Sequence, residues 1–343
     1  MGKYIVMDVV FYGSSLNYDQ GAGNYQELKK ITKWDGKQYV LVSRYALRYS
    51  LLHTANKINN NWKLADSRIL TEDGGVASPN IDENNVREVL NYPEFDLFGF
   101  MCAKEGQGST FTRTSPVKIS HAISMTPYNF DSHFSANLDM MRRASGPGAG
   151  SNPVNIEEKK DFYIYNITID GDRVGKYTQE EHGIENVGDI KIDDNEKKKR
   201  ILTLIDAVFN LKREIKGRME DLSPWLVVCG LYNDIKYETY VDKIELAKSH
   251  KYKVITKEVS KKEGDKTITE IEHETIERNA PKFVIDTTGE FKQIDTYSYL
   301  KQEIQNFLQD KTSANNNTNN NTNNMGTKPL VYKRKFIDLE KVQ

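Results

Sequence analysis

Alternating hydrophobic positions predict a set of β-strands along the chain. Strand-forming residues run from Lys3 to Tyr12, and a shorter run spans Gln38 to Val42. Val117 to Met125 alternates apolar and polar residues with a period of two, and Phe162 to Ile169 does the same. The apolar run from Pro224 to Gly230 indicates a strand that is buried on both faces.

Apolar residues at helical spacing predict three helices. The first begins after Ser43, a suitable N-cap residue, and runs to about Ala55. The second follows an acidic pair, and its apolar stripe extends to Ile215, with Gly217 in the position of a C-terminal cap. The third covers residues 291–308.

The order of these elements predicts an α+β fold, in which an antiparallel sheet is backed by helices. A charged hairpin is expected between Lys253 and Glu277, and a mobile glycine loop between Arg142 and Pro153. Residues 315–324 form an Asn/Thr tract that is typical of a disordered linker.

Composition restricts the function more than it restricts the fold. The 343 residues carry 48 Lys and Arg against 49 Asp and Glu, which gives a net charge of −1. A freely acting nucleic-acid-binding protein is usually strongly basic, so such a role would need locally segregated charge or partner chains. Two isolated cysteines, and an N-terminal segment interrupted by Asp8, indicate a reducing cytoplasm without a signal peptide or membrane span.

The sequence lacks the usual motifs for cofactor, metal and nucleophile chemistry. Gly21 and Gly23 lack the third glycine of a dinucleotide-binding turn, and no Gly-Lys-Ser/Thr phosphate loop occurs. His121 has no partner at catalytic spacing, which favours a structural or polar contact over a general base. Cys102 and Cys229 lie in apolar runs and resemble small hydrophobic residues. We therefore expect no cofactor, no metal site and no enzymatic activity.

The most informative basic residues begin the first helix. Arg44 and Arg48 are spaced i and i+4, so both guanidinium groups project from one face, beside Ser43 and the free N–H groups of the first turn. This cluster suits a phosphate, because the planar guanidinium matches phosphate oxygens. An ordinary solvated helix face has the same spacing, so both interpretations stay open. Further local cations are Lys29 and Lys30, Arg113 and Lys118 around Ser120 and His121, and the pair Arg142 and Arg143.

Several short motifs occur in a fixed order in the first third of the chain. They are Ser15-Leu16-Asn17, then Leu28-Lys29-Lys30-Ile31-Thr32, then Ser43-Arg44-Tyr45-Ala46-Leu47-Arg48-Tyr49, then Asp96-Leu97-Phe98-Gly99 and the segment from Ser115 to Ser124. In order and spacing they resemble the DevR-type proteins, the backbone subunits of type I CRISPR surveillance complexes (Cascade). The match is dense over about residues 3–135, and subtype I-B is the expected subtype.

The resemblance implies both a fold and a function. The fold is a modified RRM-like or ferredoxin-like palm over residues 1–310, with inserted finger and thumb segments at about 60–120 and 125–165. Outside the family pattern, composition predicts an Asn-rich disordered linker at residues 311–327 and a basic tail at residues 328–343.

In function, copies of the protein would polymerise along the guide RNA (crRNA) together with other Cascade subunits. They would grip its sugar-phosphate backbone and leave bases free to pair with target DNA. Guide processing and DNA cleavage would belong to the other subunits.

On this resemblance, the RNA-binding residues lie at the start of the first helix, in the loop before it and near the thumb. The expected set is Asn17, Lys29, Lys30, Ser43, Arg44, Arg48, Arg113, Lys118, Ser120, His121, Arg142 and Arg143.

Three other functions stay open. A type III-like backbone subunit would cut target RNA with an acidic residue of the early loop, where Asp19, Glu27 and Asp35 are available. A crRNA-processing endoribonuclease of the same superfamily would need a histidine base and a C-terminal glycine-rich loop, but only isolated glycines occur there. A standalone RRM-like protein would stack bases on strand aromatics such as Phe162 and Tyr165, but the RRM consensus is missing.

Overall fold

The first predicted strand, β1 (Tyr4–Ser14), lies in the middle of a large sheet and is buried on both of its faces. The computed structural model describes residues 2–73, 76–102, 111–144, 150, 153–263, 266–286, 290–309, 328–334 and 338–342. Most of the predicted glycine loop and the whole Asn/Thr tract lie outside these residues.

The strands and helices follow one another in many short segments. In the first half of the chain the further strands are β2 (Tyr25–Gln26), β3 (Lys30–Thr32), β4 (Gln38–Val42), β5 (Leu70–Asp73), β6 (Val76–Pro79), β7 (Phe100–Cys102), β8 (Phe111–Arg113), β9 (Val117–Ile119), β10 (Ala122–Ser124), β11 (Asp131–Ser135), β12 (Val154–Glu158) and β13 (Lys160–Asp170). In the second half they are β14 (Lys176–Tyr177), β15 (Ile190–Lys191), β16 (Lys212–Ile215), β17 (Arg218–Asp221), β18 (Leu226–Tyr232), β19 (Ile244–Glu263), β20 (Lys266–Asp286), β21 (Lys292–Ile294), β22 (Leu330–Lys333) and β23 (Asp338–Val342).

The helices are α1 (Arg44–Ile58), α2 (Pro93–Phe98), α3 (Leu138–Arg143), α4 (Gln179–His182), α5 (Asp194–Phe209) and α6 (Tyr297–Gln309), with a 3-10 helix at Val86–Asn91. Among the described segments, no helix has the length and apolar content needed to cross a membrane.

The main sheet has the strand order β21-β22-β18-β1-β13-β10-β4-β3, with β9 also paired to β13. β1 is antiparallel to both of its neighbours, β13 and β18, whereas β21 and β22 are parallel. The mixed helix-and-sheet architecture predicted from the sequence is therefore confirmed. Residues Leu330–Lys333 were predicted to belong to a tail outside the domain, but they form β22 within this sheet.

Both faces of the main sheet are covered by other parts of the chain, and a separate hydrophobic core lies at each face. One face packs against α1, α5 and α6, through a cluster that includes Ile5, Met7, Val9, Phe11, Leu47, Leu51, Ile201, Leu204 and Ile304. The other face packs against the segment around residue 240 and the base of the β19–β20 hairpin, through Val10, Phe162, Ile164, Leu226, Tyr240, Ile244, Phe283 and Ile285. The predicted charged hairpin is confirmed, and it is longer than expected.

The strand predicted from Val117 to Met125 is interrupted. β9 and β10 both pair with β13, but Ser120 and His121 lie between them and outside both strands. The Ser120 hydroxyl takes part in the interruption, because it accepts a hydrogen bond from the backbone N–H of Asn166 at 2.9 Å. Alternation alone cannot reveal such a break, since the apolar period continues through it.

The second predicted helix is shorter than its apolar stripe suggests. α5 ends at Phe209, and Ile215 belongs to the short hairpin β16–β17. Lys216 and Gly217 both have positive φ, 48° and 75°, which is the backbone geometry of a two-residue hairpin turn. Gly217 therefore forms a turn instead of capping a helix.

A fully buried carboxylate, Asp96, joins three parts of the fold. Its two oxygens lie 2.6 Å from Arg113 Nη2 and 2.9 Å from Arg200 Nη1, and they also accept the backbone N–H of Gly175. The side chains of Asp96 and Arg113 have 0% exposure. Arg113 was predicted to bind RNA from the surface, but burial in this ion-pair cluster removes its guanidinium from contact with any ligand.

We expect Asp96→Asn to lower the free energy of unfolding by up to about 3–5 kcal/mol, because Asp96 is the fully buried carboxylate that Arg113 and Arg200 share. Glu181 at 3.5 Å from Arg113 and Glu196 at 3.0 Å from Arg200 would compensate only part of the lost charge. Urea denaturation followed by circular dichroism measures this change. The control is Asp139→Asn, which removes the exposed ion pair to Arg143 and should leave stability nearly unchanged. Similar small losses for both variants would contradict the structural role of Asp96.

Candidate nucleic-acid interface

The N-terminus of α1 is fixed by a local cap and by a distant loop. The hydroxyl of Ser43 accepts the backbone N–H of Ala46 at 3.2 Å, so Ser43 is the N-cap residue that the sequence predicts. The backbone N–H of Ser43 in turn donates to Asn17 Oδ1 at 2.8 Å. Asn17 therefore positions the helix start, whatever else it contacts.

His121 supplies a second cap to the same helix. Its Nδ1 accepts the backbone N–H of Arg44 at 3.0 Å, which requires an unprotonated Nδ1. Partial burial and the nearby Arg44 charge both lower the pKa of His121. The break between β9 and β10 brings His121 to this position.

A cleft of about 280 Å³ opens beside this helix start. It is lined by Arg44, Tyr45, Arg48, Phe98, Ser115, Val117, Lys118 and Ile119. Among the lining residues in the described part of the chain, three are basic and none is acidic. Two of the predicted cation groups, one on α1 and one on β9, therefore meet in a single site.

Arg48 is held against one wall of the cleft. Its guanidinium lies over the ring of Phe98, 5.2 Å from the centroid, and its Nη2 is 3.6 Å from Glu94 Oε1. Burial lowers the pKa of Arg48, but arginine stays protonated at neutral pH. Glu94 offsets part of the Arg48 charge, so Arg44 and Lys118 contribute most of the positive charge of the cleft.

Arg44 and Lys118 present their charges to the same cleft. The Arg44 guanidinium lies 5.0 Å from the centroid of the Tyr45 ring, and its Nη2 donates to the Tyr45 hydroxyl at 3.0 Å. Partial burial and the charges of Arg173 and Arg44 lower the pKa of Lys118. Clustered, partly desolvated cations of this kind are stabilised by a bound anion. The cleft therefore has the charge and the donor groups that suit an anion such as phosphate.

The other predicted cations of the N-terminal region are engaged within the protein. Lys29 Nζ lies 3.1 Å from an Asp19 carboxylate oxygen at the surface. Lys30 Nζ lies 2.7 Å from Glu157, whose carboxylate is almost fully buried and also accepts the backbone N–H of Leu28. A ligand phosphate would have to compete with these carboxylates, most of all at Lys30.

The remaining predicted pair lies in a different part of the fold. Arg142 and Arg143 end the short helix α3, and Arg143 forms an exposed ion pair with Asp139 at 2.8 Å. Neither arginine lines the cleft. The glycine loop that follows them lies outside the described residues, so its predicted mobility stays a prediction.

Sequence reasoning did not include several residues that shape the site. Phe98 and Ser115 occur in the recognised motif blocks, but no residue type in those blocks indicates that they line a cationic cleft. Nothing in the sequence around Glu94 or Arg173 indicates that they belong to the site. Contacts between distant parts of the chain bring them close to Arg48 and Lys118.

Two of the three acidic residues of the early loop, Asp19 and Asp35, have local partners. Asp35 accepts hydrogen bonds from the Lys37 N–H at 3.0 Å and from the Tyr39 hydroxyl at 2.8 Å, and these bonds lower its pKa. Asp19 accepts from Lys29, which lowers its pKa too. No group of three or more potential metal ligands (His, Cys, Asp or Glu) occurs among the residues that the structure describes.

The cap formed by His121 generates a pH-dependent prediction. Because the pKa of His121 is lowered in the fold, its neutral form stabilises the native state above about pH 6.5, and this contribution is lost as the pH falls through the folded pKa. His121→Asn keeps an acceptor for the Arg44 N–H without titrating. We expect the wild type to lose stability relative to this variant between about pH 7.5 and pH 5, measured by urea denaturation. If the stability of the wild type and that of the variant change with pH in the same way, His121 does not cap the helix.

Known proteins resemble this chain in sequence and in structure. The family model of the CRISPR-associated negative auto-regulator DevR/Csa2 matches residues 5–245. A protein of Myxococcus xanthus (strain DK1622), "CRISPR-associated protein Cas7/Cst2/DevR", is 26% identical over 164 residues, which cover 43% of this chain and 50% of that protein. The chain thus spans about half the length of this relative.

Two solved structures contain a chain that is similar to this one. One, titled "CRISPR RNA-guided surveillance complex", has a TM-score of 0.45 at 13% identity, covering 70% of this chain and 73% of that chain. The other, "CRISPR RNA-guided surveillance complex, pre-nicking", has a TM-score of 0.47 at 10% identity, covering 70% and 81%. The matched family segment includes α1, the cleft and the main strands of the sheet, and the protein belongs to the DevR/Csa2 family.

Proposed function

We propose that the protein is a non-catalytic backbone subunit of a type I CRISPR surveillance complex, and that it holds the sugar-phosphate backbone of the guide RNA. The observation that carries the proposal is the cationic cleft, where Arg44, Arg48 and Lys118 converge at the start of α1. Family membership and the name of the Myxococcus relative both support a CRISPR role.

The chemistry of the cleft suits a backbone ligand better than a base-specific one. Arginines contribute planar donors that match phosphate oxygens, and these contacts carry no sequence information. In RNA-guided recognition the sequence is read by base pairing to the target DNA, so the protein needs to bind only backbone and shape. A subunit that holds phosphates would leave the bases available.

The fold suggests how the subunit is organised. The main sheet with α1, α5 and α6 corresponds to the RRM-like palm, now including β22. The segment at about 60–120, the proposed finger, contributes most residues of a separate small core, to which Tyr177 and Ile190 also belong. The proposed thumb is the part of residues 125–165 that precedes β13 and contains the β11–β12 pair, because β13 itself begins at Lys160 and belongs to the main sheet. Copies of this unit would line up along one guide RNA beside the other complex subunits.

Several features support the absence of catalysis. Asp19 and Asp35, which a type III-like mechanism would use, are both ionised and bound to local donors. His121 accepts a backbone N–H and so is already engaged as a helix cap. Among the described residues that line the cleft, none is a carboxylate or a histidine.

We expect the double substitution Arg44→Ala and Arg48→Ala to weaken binding of a guide RNA oligonucleotide for every sequence alike. Each lost phosphate contact should reduce the slope of log K against log salt concentration by roughly one unit. Fluorescence anisotropy at several salt concentrations measures both effects, and a melting curve checks that the fold is retained.

The matched control for this experiment is Lys292→Ala. Lys292 is a cation on β21, at the opposite edge of the main sheet from β4 and the start of α1. The control should bind RNA like the wild type. Unchanged affinity and slope in the arginine variant would disprove the proposed RNA cleft.

We also expect the purified protein to leave labelled RNA and DNA intact in the presence of Mg²⁺ or Mn²⁺, as analysed on denaturing gels. Cleavage that disappears in Asp19→Ala or Asp35→Ala would support the type III-like alternative instead.

A further inference from the structure

Two aromatic rings are left uncovered next to the cleft. Tyr45 and Tyr49 lie one helical turn apart on α1, and they are 63% and 62% exposed. The next position of this series, His53, is exposed too, and its ring centroid lies 4.3 Å from that of Tyr49. The exposed side of α1 therefore carries an aromatic row, Tyr45–Tyr49–His53, beside the arginine pair Arg44 and Arg48.

The aromatic row is physically coupled to the cations. The Arg44 guanidinium lies over the Tyr45 ring and donates to its hydroxyl, so the two side chains form one unit. Tyr45 is itself a lining residue of the cleft. A ligand that contacts the Tyr45 ring is therefore within reach of Arg44. Such a ligand should combine an aromatic surface with a negative charge, and a nucleotide has both.

We propose that Tyr45 and Tyr49 stack against bases of the same RNA strand whose phosphates Arg44 and Arg48 hold. The inference rests on the proposed function and adds base-stacking residues to it. A four-residue step along a helix rises by about 6 Å, so each ring can receive a separate base. Stacking on aromatic rings is tolerant of sequence, because every base has a π-face. The row would thus strengthen binding without selecting a particular guide.

The test compares two double variants. One carries Tyr45→Ala and Tyr49→Ala, and the other carries Tyr45→Phe and Tyr49→Phe. The probes are a labelled oligoribonucleotide and an abasic oligomer of the same length. We expect the alanine variant to bind the RNA about tenfold or more weakly, with an unchanged salt slope, because no phosphate contact is lost. Its affinity for the abasic oligomer should stay that of the wild type. The phenylalanine variant should bind RNA normally, since it keeps both rings.

Tyr299→Ala is the matched control, because Tyr299 is an exposed tyrosine on a different helix, α6. It should leave RNA binding unchanged. An equal loss in the phenylalanine variant would overturn stacking in favour of hydroxyl hydrogen bonds. Normal RNA binding by the alanine variant would also overturn base stacking. If this variant then showed reduced self-association in sedimentation experiments, the two rings would be a contact between copies of the protein.

The failure of this inference is distinguishable from failure of the proposed function. If the arginine variant loses affinity and the tyrosine variant does not, the cleft binds RNA without base stacking. If the arginine variant binds normally, the cleft itself is not the RNA site.

Discussion

The carboxylate of Asp96 is the interaction on which the geometry of the cleft depends. It pairs with Arg113 on β8 and Arg200 on α5, and so joins the inserted segment to the helical side of the sheet. Phe98 follows two residues later and supports Arg48. The chain then turns at Gly99, whose φ of 67° and close approach to the Arg113 carbonyl would not accommodate a side chain. A buried ion-pair cluster thus fixes the wall against which Arg48 rests.

The clustering of cations in the cleft destabilises the fold. Arg44, Arg48 and Lys118 are brought together by α1 and β9, although like charges repel and partial burial removes water from them. The lowered pKa values of Arg48 and Lys118 result mainly from this burial. Perturbed titratable groups of this kind are concentrated at functional sites, because a ligand of opposite charge relieves the cost. The cluster is more easily explained by binding than by folding.

Local sequence patterns predicted the parts of the structure that are determined by residues close together in the sequence. Ser43 as a helix cap, the start of α1 and the central strands all follow from residue type and spacing. The role of Arg113 could not be predicted, because an arginine that pairs with a buried carboxylate has the same local sequence as one that faces solvent. The interruption of the strand at Ser120 and His121 could not be predicted from the sequence either, since it depends on hydrogen bonds to Asn166 and to the start of α1.

The internal pairing of most predicted cations explains how a nearly neutral chain can suit a polyanion. Carboxylates lie beside five of the eight predicted Lys and Arg residues and limit their effect on the field outside the protein: Lys29, Lys30, Arg48, Arg113 and Arg143. Copies that carry little net charge can pack side by side without strong mutual repulsion. On the proposed function, each copy would need only a small cationic cleft, because contacts repeated along one strand add through effective concentration. Weak binding by a single subunit and firm binding by an array would then be consequences of the same charge distribution.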